Sequence, residues 1–281
     1  MQQTNRSRHR HMTSFQVISL GFLSVILLGS LLLMLPIATK SGQCTSFLDA
    51  LFTATSAVCV TGLVVNDTAT YWSLFGQGVI LLLIQIGGMG IITIAIAIAV
   101  VSGRKIGLMQ RSTMQEAISA PTVGGIVRRT QFIIRTTILI EIIGAVLLAP
   151  VFCRDFGFWK GIWYSLFHSI SAFCNAGFDL IGIRTPFSSL TSYSVQPIVN
   201  LVIMALIVAG GIGFLTWEDI KIHKWHFKKI QRCKAKVIFM VTGLLIFLPA
   251  LYFFVLNFKC SSYRKSMGFL VSIRYTENCR I

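Results

Sequence analysis

From Phe15 to Ile37, and again from Gly76 to Val101, the chain carries no ionisable side chain. At 1.5 Å of rise per residue, the first run alone reaches roughly 35 Å as a helix, enough to cross the hydrocarbon core of a bilayer. A cleavable signal peptide is the competing reading, because Arg6, Arg8 and Arg10 precede the run. The run is too long for a usual signal core and lacks a small-residue exit site, which favours a retained helix. Three further apolar runs follow: Thr136 to Val151, which contains Glu141 and has Arg135 at its edge, Tyr193 to Phe214, and Val237 to Phe258. The pattern predicts an all-α polytopic membrane protein with five spanning helices.

Only 12% of the residues are charged, about half the share in an ordinary soluble domain. That excludes a water-soluble globular enzyme as the default. The charge is strongly basic, 25 Lys and Arg against 9 Asp and Glu. A nucleic-acid partner would need these charges gathered on one soluble face; here they fall between apolar runs. Sixteen of the basic residues lie before the first run, in 102–135 and in 218–236. If the spans alternate, all three segments share one side, and the excess of Lys and Arg makes the N-terminus cytoplasmic. The other side has Lys40, Arg154, Lys160 and Arg184. The seven cysteines show no Cys-x-x-Cys spacing, so neither a disulfide framework nor a zinc site is indicated. No nucleophile–base pair, phosphate-cradling loop or paired catalytic carboxylates is recognisable.

The segments between the runs are more informative. Shifting by 115 positions aligns Leu51 with Leu166, Phe52 with Phe167, Ser56 with Ser171, Ala57 with Ala172, Cys59 with Cys174 and Gly62 with Gly177. The following spans also match, Gly87-Gly88-Met89-Gly90 against Gly210-Gly211-Ile212-Gly213. A unit of span, short apolar segment with a Gly-ended loop, and span therefore occurs twice. Ser46 to Ala57 is only half a bilayer long as a helix, so the chain would enter and return as irregular backbone around a cavity. The helix C-terminus carries partial negative charge and would favour a cation there.

Val58-Cys59-Val60-Thr61-Gly62 and Phe173-Cys174-Asn175-Ala176-Gly177 are the candidate carbonyl-lined segments, since carbonyl rings can replace an ion's hydration shell. Glycine tolerates the positive φ needed to aim successive carbonyls inward. An extracellular apolar loop packed on the helices is the plainer alternative; two matching copies favour the re-entrant reading. Asp67 and Asp179 fall on the outer side, either raising the local cation concentration at the mouth or serving as solvated loop carboxylates. Asp49 reads as a helix-starting acid. Glu141 reads as an intramembrane acid paired with Arg135 or a polar group of a neighbouring helix, and His168 as packed or hydrogen-bonded.

The stretches TSAVCVTGLVVNDTATYW, QIGGMGIIT and SISAFCNAGFDL resemble the first two repeats of the Trk/Ktr/HKT superfamily, and most of all the membrane subunit of bacterial Ktr-type potassium transporters. GRKIGLMQRSTMQEAIS resembles the cytoplasmic connection between them. The resemblance implies repeated helix–pore loop–helix units with re-entrant pore helices, four to a pore. It also implies potassium as the transported ion, a sodium dependence, a homodimer in the cell membrane and a cytoplasmic nucleotide-binding regulatory subunit. Gly62 and Gly177 match the filter glycines. In plant relatives a serine at the first position accompanies sodium transport, so Gly62 speaks for potassium.

On this reading, residues 1–12 form a cytoplasmic N-terminus, 13–101 and 131–216 are two pore repeats, and 102–130 and 217–236 are cytoplasmic linkers. Residues 237–258 are the first helix of a third repeat. No Gly-ended filter motif is recognisable in 259–281, whose five basic residues would lie outside. The tail reads as the end of a truncated or frame-shifted protein, which leaves a non-conducting fragment with partner-docking surfaces as the alternative function.

Overall fold

The computed structural model describes residues 13–90, 93–94, 126–183, 185–213, 216–217 and 237–252. Most of the expected linkers, the N-terminal segment and the 259–281 tail lie outside these residues. The described chain is all helical, with one isolated bridge between Thr39 and Trp72. Two helices are long and apolar enough to cross a membrane, over Phe15–Met34 and Thr130–Phe156.

Helix α1 (Ser14–Met34) opens on a capping box in which Thr13 and Gln16 satisfy each other's backbone amides. Leu23, Leu28 and Leu31 remain exposed along it, as expected of a face solvated by lipid. Ser24, exposed on that face, returns its hydroxyl to the Leu20 carbonyl, and the buried Ser30 returns its own to the Leu27 carbonyl. Helix α2 (Phe47–Val58) is capped by Ser46, whose hydroxyl oxygen accepts from the Asp49 amide. Asp49 lies in the first turn, where a carboxylate meets the positive end of the helix.

Helix α3 (Leu74–Met89) starts at Ser73, which accepts from the Gly76 amide. Helix α4 (Ile126–Phe156) is far longer than its apolar run, because Arg128, Arg135, Arg154 and Asp155 continue it at either end. Gly157, with φ +83°, then turns the chain into α5 (Phe158–Phe173). Two short 3₁₀ turns, Ile181–Ile183 and Ser189–Tyr193, precede α6 (Pro197–Gly211).

Helices α4 and α5 run antiparallel at close range. A methyl on Gly161 would overlap the Cys153 backbone, and one on Gly144 would overlap the Ser169 hydroxyl. A continuous core joins α1 to α6, with Leu33, Trp72, Ile80, Ile84, Leu148, Phe152, Phe167 and Tyr193 fully buried. Helix α7 (Val237–Tyr252) is apolar and falls in a separate unit, Asp219–Ile281.

Candidate functional site

Helices α2 and α5 each belong to an out-and-back excursion. Before α2, Ala38 and Lys40 are tied to the chain that returns after it: the Ser73 amide donates to the Ala38 carbonyl at 2.9 Å, and the Lys40 amide to the Tyr71 carbonyl at 3.0 Å. The Lys40 ammonium also donates to the Ala69 carbonyl. After α5 the chain comes back to the end of α4, where the Tyr193 hydroxyl donates to Asp155 at 2.7 Å. The Tyr193 ring also meets Phe152 edge-on there.

At their far ends the two helices finish alike. Cys59 and Cys174 cap them with φ −83° and −73°. Val60 and Asn175 then have φ +57° and +59°, and Gly62 and Gly177 have φ +75° and +74°. Between each pair, Thr61 and Ala176 keep negative φ. Alternation in the sign of φ turns successive carbonyls toward a common side, which a helix or strand cannot do. A β-branched valine in the left-handed region is a rare conformation costing about 1–3 kcal/mol, found where surrounding structure imposes it.

Matching bonds impose it in both loops. The Cys59, Val60 and Thr61 amides donate to Thr55, Ala57 and Ser56, and those of Cys174, Asn175 and Ala176 to Ile170, Ala172 and Ser171. The Ser56 hydroxyl donates to the Leu63 carbonyl at 2.7 Å, and Ser171 to the Phe178 carbonyl at 2.6 Å. The loops differ in their polar contacts: Thr61 donates to the Ser56 hydroxyl oxygen at 2.8 Å, whereas Ala176 has no hydroxyl, and the Asn175 side-chain amide donates to the Phe173 and Ile207 carbonyls at 3.5 Å, whereas the Val60 side chain has no donor. Val58, Phe173 and Ala176 are buried, while Cys59, Thr61, Asn175 and Gly177 are exposed.

Glycines on the following helices make room for these ends. A methyl on Gly87 would overlap the Val58 carbonyl, and one on Gly210 the Phe173 carbonyl. The two loops also meet each other. A methyl on Gly62 would lie 2.6 Å from the Ala176 oxygen and 3.3 Å from Gly177 Cα.

Asp67 and Asp179 have different surroundings. Asp67 is buried, and its two oxygens accept from the Thr70 amide and hydroxyl and from the Phe187 amide. Asp179 is half-buried and lines a cavity of about 200 Å³ beside the second loop, together with His168, Asn175, Gly177, Ile203 and Ile207. Burial holds the Asp179 pKa above the usual carboxylate value; the Ile181 amide opposes the rise and the neighbouring Asp67 adds to it. Asp179 rather than Asp67 therefore borders open space.

His168 is a packed residue with both ring nitrogens engaged, by the Tyr164 carbonyl and the Leu180 amide. Glu141 is buried and accepts from the Gln85 amide at 2.9 and 3.2 Å, bridging α4 to α3. Sequence reasoning missed the bond from Trp163 to Gln77, which joins α5 to α3 at 2.9 Å. Gln77 is a buried amide within an apolar helix, and that was the available signal.

The described residues make an all-helical membrane protein with two glycine-ended loops of matching backbone. The chain belongs to the TrkH family of cation transport proteins, whose family model matches residues 1–261. It is 42% identical over 237 residues to the potassium/sodium uptake protein NtpJ of Enterococcus hirae, covering 84% of this chain and 51% of that one. It is 46% identical over 205 residues to the Ktr system potassium uptake protein B of Bacillus subtilis, covering 73% and 44%. Against the Vibrio alginolyticus protein of the same name the identity is 35% over 245 residues, covering 86% and 52%. The chain thus spans about half the length of the curated relatives it matches.

Proposed function

We propose that the chain contributes two of the loops that line a potassium path across the cell membrane. Uptake would be passive, with ions passing between carbonyl sites that bind weakly enough to release them. The observation that carries this reading is the shared alternation of φ in 59–62 and 174–177, with glycine against glycine where the loops meet. A hydrated cation gives up its water only to oxygens already held in place, and both loops are braced by matching backbone and serine bonds. The C-terminal ends of α2 and α5 add partial negative charge at the same place.

We assign the filter to Val58–Gly62 and Phe173–Gly177, with Asp179 at the outer mouth. The helices on either side of each out-and-back segment would span the bilayer, with the N-terminus cytoplasmic. A homodimer, a cytoplasmic nucleotide-binding regulatory subunit and sodium-dependent uptake complete the proposal. Family membership and the uptake functions named for the relatives support it.

The test is growth of a potassium-uptake-deficient bacterium at low potassium. This chain joined to the C-terminal half of the Bacillus subtilis relative should restore growth, and Gly62→Ser in the same chimera should weaken its preference for potassium over sodium. A chimera present in the membrane at the relative's level, yet without uptake of potassium or its analogue rubidium, would sink the proposal. An unchanged ion preference in the serine variant would remove Gly62 from the filter.

A further inference from the structure

We propose that Asp67 is a positioning residue for the ion path, its buried carboxylate clasping the outgoing end of the first loop to that of the second and so fixing the spacing between the two. The proposal rests on the filter reading above and assigns it a support that lies outside the filter. Asp67 follows Gly62 by five residues, and Gly182 follows Gly177 by five. The loops meet at both of these matched levels. Gly62 lies against Gly177, and the Asp67 carboxylate occupies the space where a methyl on Gly182 would be. Position 182 therefore has no room for a side chain while Asp67 is in place.

Three described bonds hold the carboxylate, and one of them crosses between the two segments. One carboxylate oxygen accepts from the Phe187 amide at 3.1 Å, and the other accepts from the Thr70 amide at 2.9 Å and the Thr70 hydroxyl at 2.7 Å. Bonds to a charged acceptor are about twice as strong as neutral ones. Phe187 has φ +59°, and Ser189 beyond it +51°, so the segment receiving the clasp holds a conformation that L residues rarely adopt. Asp67 is only 7% exposed, which leaves it little means of attracting ions from solution. Its bond to the Phe187 amide holds the second segment.

Spacing matters because, where cavity size sets potassium selectivity, discrimination depends on how far apart the coordinating oxygens sit. Releasing the outer tie lets the loops separate at Gly62 and Gly177, and the smaller and larger cations are then discriminated less.

The experiment uses this chain joined to the C-terminal half of the Bacillus subtilis relative, as in the growth test, purified in detergent. Its melting midpoint is titrated with potassium chloride and with sodium chloride at constant ionic strength, since an ion that binds the folded state raises the midpoint. The wild-type chain should respond to less potassium than sodium. Asp67→Ala should raise the potassium needed by roughly ten-fold, the loss expected when a charge-assisted tie is removed, and bring the two ions together. Asp67→Asn, of the same shape, should fall between.

Gly182→Ala should melt lower than wild type. Asp67→Ala with Gly182→Ala should recover part of that loss without regaining potassium preference, because the methyl then enters vacated space while the bonds stay absent. A folded Asp67→Ala chain with the wild-type ratio of potassium to sodium response overturns the proposal, whatever its midpoint, since a merely structural role lowers melting in both ions alike. Should that variant not fold, an unchanged ratio in Asp67→Asn overturns it equally. A wild-type chain that responds to neither ion overturns the filter reading, and this proposal with it.

Discussion

Gly62→Ala probes the meeting of the two loops, and the structure fixes how much it should cost. The φ of +75° at Gly62 costs a residue with a Cβ about 1–2 kcal/mol. The new methyl would also lie 2.6 Å from the Ala176 carbonyl oxygen, closer than real carbons approach, so one backbone must give way. Overpacking of this kind costs about 1–3 kcal/mol, which brings the total to about 2–5 kcal/mol. Gly177→Ala is the internal control. Its φ is nearly the same, +74°, yet its methyl would meet only Gly62 Cα at 3.5 Å, an ordinary contact. It therefore carries the conformational cost alone, about 1–2 kcal/mol. One kcal/mol moves the midpoint of a chain of this size by about 2–4 °C. Gly62→Ala should thus melt roughly 2–12 °C below Gly177→Ala. Tryptophan fluorescence during heating, with size-exclusion profiles as a check on dispersity, measures the difference. Equal midpoints, or a lower one for Gly177→Ala, would refute the close approach of the Ala176 oxygen to Gly62.

Other substitutions test separate parts of the argument. Gly78 lies inside α3 with open space where a methyl would stand, so Gly78→Ala should stabilise by about 0.5–1 kcal/mol, while Gly87→Ala and Gly210→Ala, facing carbonyl oxygens, should destabilise by about 1–3 kcal/mol or more; thermal midpoints rank them. Glu141→Leu strands the Gln85 amide and should cost about 1–3 kcal/mol, whereas Glu141→Gln keeps an acceptor and removes a charge from a spanning helix, so it should melt no lower than wild type. The raised Asp179 pKa means that ionisation is disfavoured in the folded chain. Its stabilising contribution is complete below the unfolded pKa and lost as pH rises through the folded one. Asp179→Asn should therefore raise the midpoint near pH 7 and leave it unchanged near pH 3.5; a lower midpoint at pH 7 would contradict the assignment.

Much of this architecture is legible because lipid leaves the sequence few options. Uncharged runs mark α1 and α3 to within two residues at their starts. The half-length of α2 follows from the same counting. Helix α4 escapes it, since Arg128 and Arg135 end the apolar run without ending the helix. A run measures what lipid accepts, whereas helix propensity is nearly indifferent to an arginine. Helix α5 begins at Phe158, eight residues before Leu166, where the alignment of the repeats starts. Repeat alignment begins only where the copies look alike, and Trp159 and Lys160 have no counterparts of similar chemistry before α2.

The site divides along the same line, and the division has a physical cause. Gly62 and Gly177 stand out because the same backbone conformation is needed twice, so the same residue recurs. Val60 and Asn175 share that conformation but not a side-chain type, because the strain is borne by the bonds around them. Asp67 and Gly182 look like a place where the repeat fails. They occupy equivalent positions, yet one is a carboxylate and the other has no side chain. In the folded chain these two positions touch, and two carboxylates could not share that space. Equivalent positions that meet must be either both minimal, as at Gly62 and Gly177, or complementary, as at Asp67 and Gly182. A mismatch between repeats can therefore mark a contact between them. The Gly182→Ala and Asp67→Ala pair of substitutions puts that inference to the test, since each should alter the effect of the other.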